Sequence, residues 1–317
     1  MRYKLEKMGC YILIIVLLPY IVTVFLNGPI MVSSANMEGN NVIVQISDGQ
    51  SANLKERTGN VEDNQITMSI EDYGVGVLAR EIPDSYEMEA IKAQAILVRT
   101  KIYKNLQDHG SDAVMTDAFW IQSEMEEAWG IAKFASNYNK LIKAWRNTEG
   151  QVLIHKGKLA HTPFFSLSNG STRDGKEVLG KEYPYLKIKD CPLDIEATEQ
   201  IQTITLDKED SEMLDVEILS YDTAGYVLQI RVGEEVINGE EFRNNYHLAS
   251  SCFTLQEYEG QIRITTRGVG HGIGLSQYTA NKMAENGNDA EKILTYFFEN
   301  CELREVADLI RNTRLEE

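Results

Sequence analysis

The sequence predicts an α+β extracytoplasmic domain behind one N-terminal transmembrane helix. Three observations carry this. An uncharged apolar run follows a basic start, and after it β-branched alternating segments are interspersed with stretches of helical period. The 31 basic and 48 acidic residues leave a formal net charge of −17. That charge suits a solvated external domain and argues against nucleic-acid binding, which needs a basic face.

Arg2, Lys4 and Lys7 precede an uncharged run over residues 10–26, which continues through Asn27-Gly28-Pro29 into Ile30-Met31-Val32. The run is long enough for a membrane helix of about 20 residues. The basic flank places residues 1–8 in the cytoplasm, the anchor over 9–32 and everything later outside. Pro19 is tolerated in such a helix. A cleaved signal peptide, cut near Ser33-Ser34-Ala35, is the rival reading, and the length favours the anchor. Residues 33–62 are polar, without sustained periodicity, and read as a flexible stalk. Residues 63–317 suffice for one large domain or for two lobes sharing a cleft.

Within that part, residues 66–77 alternate and carry β-branched side chains, which predicts extended chain. Pro83 disfavours helix at Ile82. Asp84 and Glu87 make a capping box for a helix over 85–106, with Ala90, Ala93, Ile96, Leu97, Thr100 and Tyr103 as its small, apolar face. A second helix is expected over 129–147. Gln151-Val152-Leu153-Ile154-His155 reads as a strand, Lys156-Gly157-Lys158 as a hairpin turn, and the chain from Leu159 as the return strand. A strand at Phe164-Phe165 opens into a polar loop, residues 183–188 read as a turn and a strand, and residues 226–232 alternate. The last two helices are expected over 276–286 and 289–299. Cys191, Cys252 and Cys301 are odd in number and without Cys-x-x-Cys spacing, so a zinc ribbon is not expected and one disulfide of undetermined pairing is open.

The most distinctive segment is Gly268-Val269-Gly270-His271-Gly272-Ile273-Gly274-Leu275-Ser276-Gln277. It is not a dinucleotide loop, because Ile273 and Leu275 stand where Gly-x-Gly-x-x-Gly needs glycine, and no Gly-Lys-Ser/Thr follows. Ser276 is a fitting N-cap for the next helix and Gly287 a fitting stop. His271 reads equally as a reactive group or as a satisfied structural histidine. Among the carboxylates, Glu81 stands out by its place in a tight apolar segment before Pro83, where burial would raise its pKa and let it donate a proton near neutrality. The plain alternative is an ordinary glutamate beside a helix start.

Three ordered blocks stand out along the chain. The first is Ser69-Ile70-Glu71-Asp72-Tyr73-x-x-Gly76-Val77-x-Ala79-x-Glu81-Ile82-Pro83, with Glu89-Ala90-Ile91-Lys92-Ala93-Gln94-Ala95 and Arg99-Thr100. The second is Phe165-Ser166-Leu167-Ser168-Asn169-Gly170-Ser171-Thr172, with Val178-Leu179-Gly180 and Tyr183-Pro184-Tyr185-Leu186. The third is the glycine loop. The blocks span residues 66–300, and in this order they resemble the stage II sporulation protein D family.

The resemblance implies a two-lobed domain whose cleft holds a peptidoglycan glycan strand, and lytic transglycosylase activity that leaves a 1,6-anhydromuramic end during engulfment in endospore formation. It implies Glu81 as the catalytic acid and base, with no obvious second acid nearby, and Arg99 as a residue that orients Glu81 or contacts glycan, a structural salt bridge being the other reading. Lys92 and Gln94 are expected to contact substrate from the helix face. Ser168, Thr172, His271, Ser276 and Gln277 are expected to hydrogen-bond the sugars, and Gly270, Gly272 and Gly274 to let a ring lie against backbone. Tyr183, Tyr185 and Trp120 are stacking candidates, with core packing the commoner fate of aromatics.

The second block departs from the family pattern. Phe165 and Asn169 replace a usual histidine and glycine, and Phe165, Ser171, Lys176 and Glu177 supply no tetrahedral ligand set, so neither zinc nor another cofactor is expected. The implied partners are glycan stripped of stem peptides, the stage II sporulation protein P amidase and the stage II sporulation protein M scaffold. The implied location is the mother-cell membrane facing the septal space. The family also contains amidase enhancers, so a non-catalytic glycan-binding activator of a cell-wall amidase is the second expectation. A hydrolase built on His271 and Ser276 has neither a placed acid nor a nucleophile elbow.

Overall fold

The computed structural model describes residues 41–47, 49–50, 64–110, 113–207, 216–258 and 261–307. The membrane anchor expected over 9–32 lies outside them. Among the described residues no helix is long and apolar enough to cross a membrane. The stalk expected over 33–62 is corrected at one place. Val42, Val44 and Ile46 alternate and are buried, so the chain there forms strand β1 (Asn41–Gln45). It pairs antiparallel with β2 (Gln65–Ser69).

Extended chain was expected to continue to Val77, but helix α1 (Ile70–Glu81) starts at Ile70. Ser69 accepts a hydrogen bond from the Asp72 N–H at 2.9 Å, and Glu71 and Asp72 lie in the positively polarised first turn. Its glycines, which weaken a helix in isolation, are demanded by packing. A Cβ on Gly74 would stand 2.2 Å from the Trp145 ring, and one on Gly76 would stand 2.7 Å from the Trp120 carbonyl oxygen. Helix α2 (Met88–His109) follows, with Glu87 itself at the N-cap position and no side-chain cap bond, so the Asp84–Glu87 box does not form. Asp84 is taken instead by Asn137, whose Nδ2 donates to its Oδ2 at 2.7 Å.

The first sheet closes with β3 (Val114–Met115), parallel to β1. The helix expected over 129–147 is two helices, α3 (Gln122–Trp129) and α4 (Ile131–Asn147), broken where Gly130 adopts φ 73°. The hairpin appears as read: β4 (Gln151–His155) and β5 (Lys158–Leu159) turn through Lys156 and Gly157. Next come β6 (Phe164–Phe165), the short α5 (Gly175–Val178) and a 3-10 turn at Pro192–Glu196. The strand read within 183–188 shrinks to a single bridge between Leu186 and Phe298.

The strands β7 (Ile201–Asp207), β8 (Val216–Tyr221), β9 (Val227–Val232) and β10 (Glu235–Asn238), the helix α6 (Gly239–Asn245), and then β11 (Phe253–Tyr258) and β12 (Gln261–Arg267) build two antiparallel sheets, ordered β10-β9-β8 and β11-β12-β7. The last described elements are β13 (Leu275–Ser276), parallel to β6, then α7 (Gln277–Glu285), α8 (Ala290–Phe297) and β14 (Cys301–Glu305), which joins β4.

Helix α2 explains how these parts meet. Ile91, Ala95, Val98 and Ile102 face a core with β1, α1 and α4. Ala93, Ile96 and Leu97 face a second core with Leu153, Leu275, α7 and α8. A helix buried on both sides is a shared wall. The two β-sheets and α6 enclose a third cluster around Val227, Ile230, Phe242 and Phe253. Cys191, Cys252 and Cys301 are free, buried thiols. The architecture is mixed α+β, as the sequence predicts.

Candidate active site

Helix α1 ends at Glu81 because Ile82, the residue before Pro83, is extended at φ −115° and ψ 133°. The last carbonyls of a helix have no partner within it. The Glu81 carbonyl is satisfied from the far end of the chain, where Gln277, the first residue of α7, donates its Nε2–H at 2.9 Å. The glycine loop therefore meets the end of α1. The Glu81 carboxyl is half-buried, and burial pushes its pKa above the usual carboxylate range. Arg80 opposes that shift, the Asp117 carboxylate adds to it and Lys101 opposes it.

Gln277 is placed by a buried carboxylate. Ser276 caps α7 by accepting from the Thr279 N–H at 3.3 Å. Its hydroxyl donates to Asp194 Oδ2 at 2.7 Å, and the Thr279 hydroxyl donates to Asp194 Oδ1 at 2.5 Å. The Ser168 N–H donates to Asp194 Oδ2 at 2.7 Å. Asp194 is fully buried and pins the second block to the third. A second clamp lies close by. Arg173 donates to Asp222 at 2.5 Å, to Glu240 at 2.8 Å and to the His271 carbonyl at 3.2 Å, and its guanidinium lies 4.9 Å from the Tyr226 ring centroid.

Most of the expected sugar contacts serve this joint instead. Ser168, Thr172, Ser276 and Gln277 are buried. The Thr172 hydroxyl bridges the Lys187 carbonyl and the Lys189 N–H at 3.0 and 2.8 Å. The glycines of the loop turn toward protein. A Cβ on Gly270 would stand 2.7 Å from Phe165 Cβ, on Gly272 2.5 Å from the Tyr226 ring, and on Gly274 2.1 Å from the Pro163 carbonyl oxygen. The room expected for a sugar ring is filled by the Phe165 and Tyr226 side chains and the Pro163 backbone. His271 Nδ1 accepts from the Ile273 N–H at 3.1 Å, and enclosure of the ring pushes its pKa down to about 4, so it stays neutral near pH 7. It is a fitted part of the joint.

On α2 the expectations also change. Arg99 is buried, and its guanidinium donates to the carbonyls of Thr148 and Trp145 at 2.6 and 2.7 Å and lies 4.1 Å from the Trp145 ring centroid. It satisfies the orphan C-terminal carbonyls of α4, a favourable place for a cation, and its described hydrogen bonds include none to Glu81. Burial lowers its pKa to about 10, still charged at neutrality. Lys92 pairs with Glu89 at 2.9 Å, and Glu89 in turn accepts from the N–H of Ala290 at the start of α8. Gln94 is sealed inside with neither amide atom paired. Tyr185 is core, its hydroxyl accepting from the His161 N–H at 2.8 Å, while Tyr183 and Trp120 remain half-exposed.

The sequence reading missed Asp194, Arg173 and Asp117. Asp194, in a short 3-10 turn, and Asp117, in a loop, carry no local signal of their role. Arg173 was findable as the one cation directly after the polar second block. Asp117 corrects the expectation of a lone acid, since a second carboxylate acts on Glu81.

Comparison with known proteins identifies relatives of this chain. The family model described as SpoIID: Stage II sporulation protein matches residues 59–155, the segment that holds Glu81, Lys92, Gln94, Arg99 and Asp117. Stage II sporulation protein D of Bacillus amyloliquefaciens is 30% identical over 256 residues, covering 74% of this chain and 74% of the relative. Stage II sporulation protein D of Bacillus subtilis (strain 168) is 29% identical over 276 residues, covering 81% and 79%. A protein named amidase enhancer, also from Bacillus subtilis (strain 168), is 25% identical over 287 residues, covering 70% of this chain and 39% of that protein. With the blocks joined around the end of α1 and the first of these relatives matched over most of its length, the chain belongs to the stage II sporulation protein D family.

Proposed function

We propose that the chain is a membrane-anchored lytic transglycosylase that cuts the MurNAc-β-1,4-GlcNAc linkage of peptidoglycan during engulfment, with Glu81 as both acid and base. The observation that carries this is the half-buried Glu81 at the end of α1, its carboxyl held above the usual range and its backbone carbonyl fastened by Gln277. A raised pKa favours the protonated carboxyl, the form that can give its proton to a leaving oxygen.

The steps balance without water. Glu81 protonates the glycosidic oxygen as the C1–O bond breaks. The 6-hydroxyl oxygen of the same muramoyl ring bonds to C1, and its proton passes to the Glu81 carboxylate. The products are a 1,6-anhydromuramoyl end and a free N-acetylglucosamine 4-hydroxyl, and the acid is restored. In this proposal the glycan lies in a cleft between two lobes, the anchor over 9–32 holds the domain outside the mother-cell membrane, and the partners are the stage II sporulation protein P amidase and stage II sporulation protein M. Arg99 contributes by holding the end of α4 against α2.

The test is digestion of amidase-treated glycan by the purified chain, read by mass spectrometry. Anhydro ends that vanish in a folded Glu81→Gln variant are expected. The similarity to a protein named amidase enhancer favours a second function, glycan binding that activates a cell-wall amidase. Amidase stimulation that survives in Glu81→Gln, with no anhydro ends from the parent, would establish that function and overturn the first.

A further inference from the structure

We infer that the cleft between the two antiparallel β-sheets is a binding site for the free C-terminal carboxylate of a peptide. It opens where the end of β8 and the turn at Gly225 meet β11 and β12, and it has a volume of about 330 Å3. That is at the small end of the roughly 300–1,000 Å3 of ligand sites, so it holds the end of a chain rather than its length. Carboxylate capture there is independent of the glycan-cleaving proposal above, which uses none of these residues.

The charge of the cleft selects an anion. Among the described residues that line it there is one cation, Arg267, and no acid, in a chain whose formal net charge is −17. Arg267 is exposed, and its guanidinium makes no hydrogen bond or ion pair among the described residues. Its backbone is fixed at the cleft, the Arg267 N–H donating to the Cys252 carbonyl at 2.8 Å. Its charge reaches the floor, where it opposes the upward push that burial gives the Cys252 thiol. One planar guanidinium matches one carboxylate through two parallel hydrogen bonds, whereas a doubly charged phosphate would be left half neutralised.

The other walls suit a peptide end with a small apolar side chain. Cys252 and Phe253 are buried and close the floor. Tyr221, a large side chain left 49% exposed, stands at the mouth. Thr254 and Thr265 add hydroxyls, which can donate to a carboxylate or accept from a peptide N–H. Asn169 keeps the floor in shape. Its Nδ2–H donates to the Ala224 carbonyl at 2.8 Å and to Cys252 Sγ at 3.2 Å, and the Cys252 thiol donates to the Gly225 carbonyl at 3.4 Å. These bonds tie the turn between β8 and β9 to the start of β11. The cleft is thus formed before a ligand arrives, and little ordering is left to oppose binding.

Ligand-observed NMR titration tests this, using the full-length chain in detergent. The probes are acetyl-Ala-Ala with a free carboxylate, its C-terminal amide, and the acid acetyl-D-Ala-D-Ala. The L and D acids separate two sources of such an end, a protein tail and a cell-wall stem peptide. Saturable binding of at least one acid is expected, weakened about tenfold or more in the amide and in Arg267→Gln. Arg267→Lys should fall between, because it keeps the charge and loses the fork. Tyr221→Ala, at an exposed position, should weaken the same acid about threefold and decides the matter if Arg267→Gln does not fold. Preference for the D acid assigns the stem peptide, preference for the L acid the protein tail, and equal binding of both still supports carboxylate capture. Equal binding of acid and amide, binding unchanged by both Arg267→Gln and Tyr221→Ala, or no binding of either acid overturns the site.

Discussion

Gly74→Ala should destabilise the protein, although alanine is the better helix former. The new methyl carbon would stand 2.2, 2.4 and 2.7 Å from Cη2, Cζ3 and Cζ2 of Trp145. Carbon atoms in contact rest about 3.5–4.0 Å apart, so the ring must retreat by about 1.3 Å or the helices must part. Retreat is resisted, because the Arg99 guanidinium lies 4.1 Å from the ring centroid and is anchored on the Thr148 and Trp145 carbonyls. Overpacking of this degree sits near the upper end of the range of about 1–3 kcal/mol. Alanine in place of glycine offsets about 1 kcal/mol, leaving a loss of about 2 kcal/mol. At about 2–4 °C per kcal/mol for a domain of this size, the Tm should fall by about 4–8 °C. Thermal unfolding followed by circular dichroism measures it. The decisive comparison is a double-mutant cycle with Trp145→Leu, which removes the obstructing ring. In that background Gly74→Ala should cost nothing or stabilise. An equal loss in both backgrounds, or a gain in the single variant, would refute the packing account of why this helix contains glycine.

Four further outcomes follow from the site. Gln277→Leu strands the Glu81 carbonyl and should cost about 1–3 kcal/mol in denaturant unfolding, with anhydro-end formation slowed. Asp194→Ala leaves the Ser168 N–H and the Ser276 and Thr279 hydroxyls without their acceptor and should cost on the order of 3 kcal/mol or more, while Asp194→Asn, which keeps the shape and one acceptor, should cost less. The Glu81 carboxyl is raised in the folded state, so the folded protein holds its proton longer than the unfolded chain and wild type loses stability as pH climbs through the carboxylate range. Glu81→Gln should therefore be the more stable form at pH 7, with the difference closing below about pH 4, as read from Tm against pH. His271 is depressed to about 4, so the unfolded chain takes up its proton first and stability falls as pH drops from about 6.5 toward that value. His271→Asn should flatten that slope, and an unchanged slope would exclude His271 as its source.

Much of the fold was legible locally. The hairpin of β4 and β5, the strand β9 and the helices α7 and α8 stand where alternation, turn residues and caps place them. Glu81 was legible because it stands in a tight apolar segment closed by Pro83. The errors share one cause. Residues 66–77 alternate like a strand and carry poor helix formers, and only Trp145 and Trp120 pressing on Gly74 and Gly76 make glycine the residue that fits a helix there. The Asp84–Glu87 box is sound local chemistry overruled by Asn137, 53 positions away.

The sequence by itself determined the mixed α+β class, the three motif blocks and the family they belong to. It also singled out Glu81, because one proline and an apolar surround are local facts. Tertiary structure alone decided what the blocks do to one another. Gln277 reaches Glu81 across 196 positions, and Ser276 reaches Asp194 across 82. Hydrogen bonds between residues so far apart leave no periodicity and no spacing rule in the chain. A polar, glycine-rich motif looks the same whether it will hold a sugar or a neighbouring loop, and burial distinguishes the two. The glycine loop proved to be the clasp that fixes the end of α1, and the cleft beside Arg267 came into view only once β8, β11 and β12 were brought together.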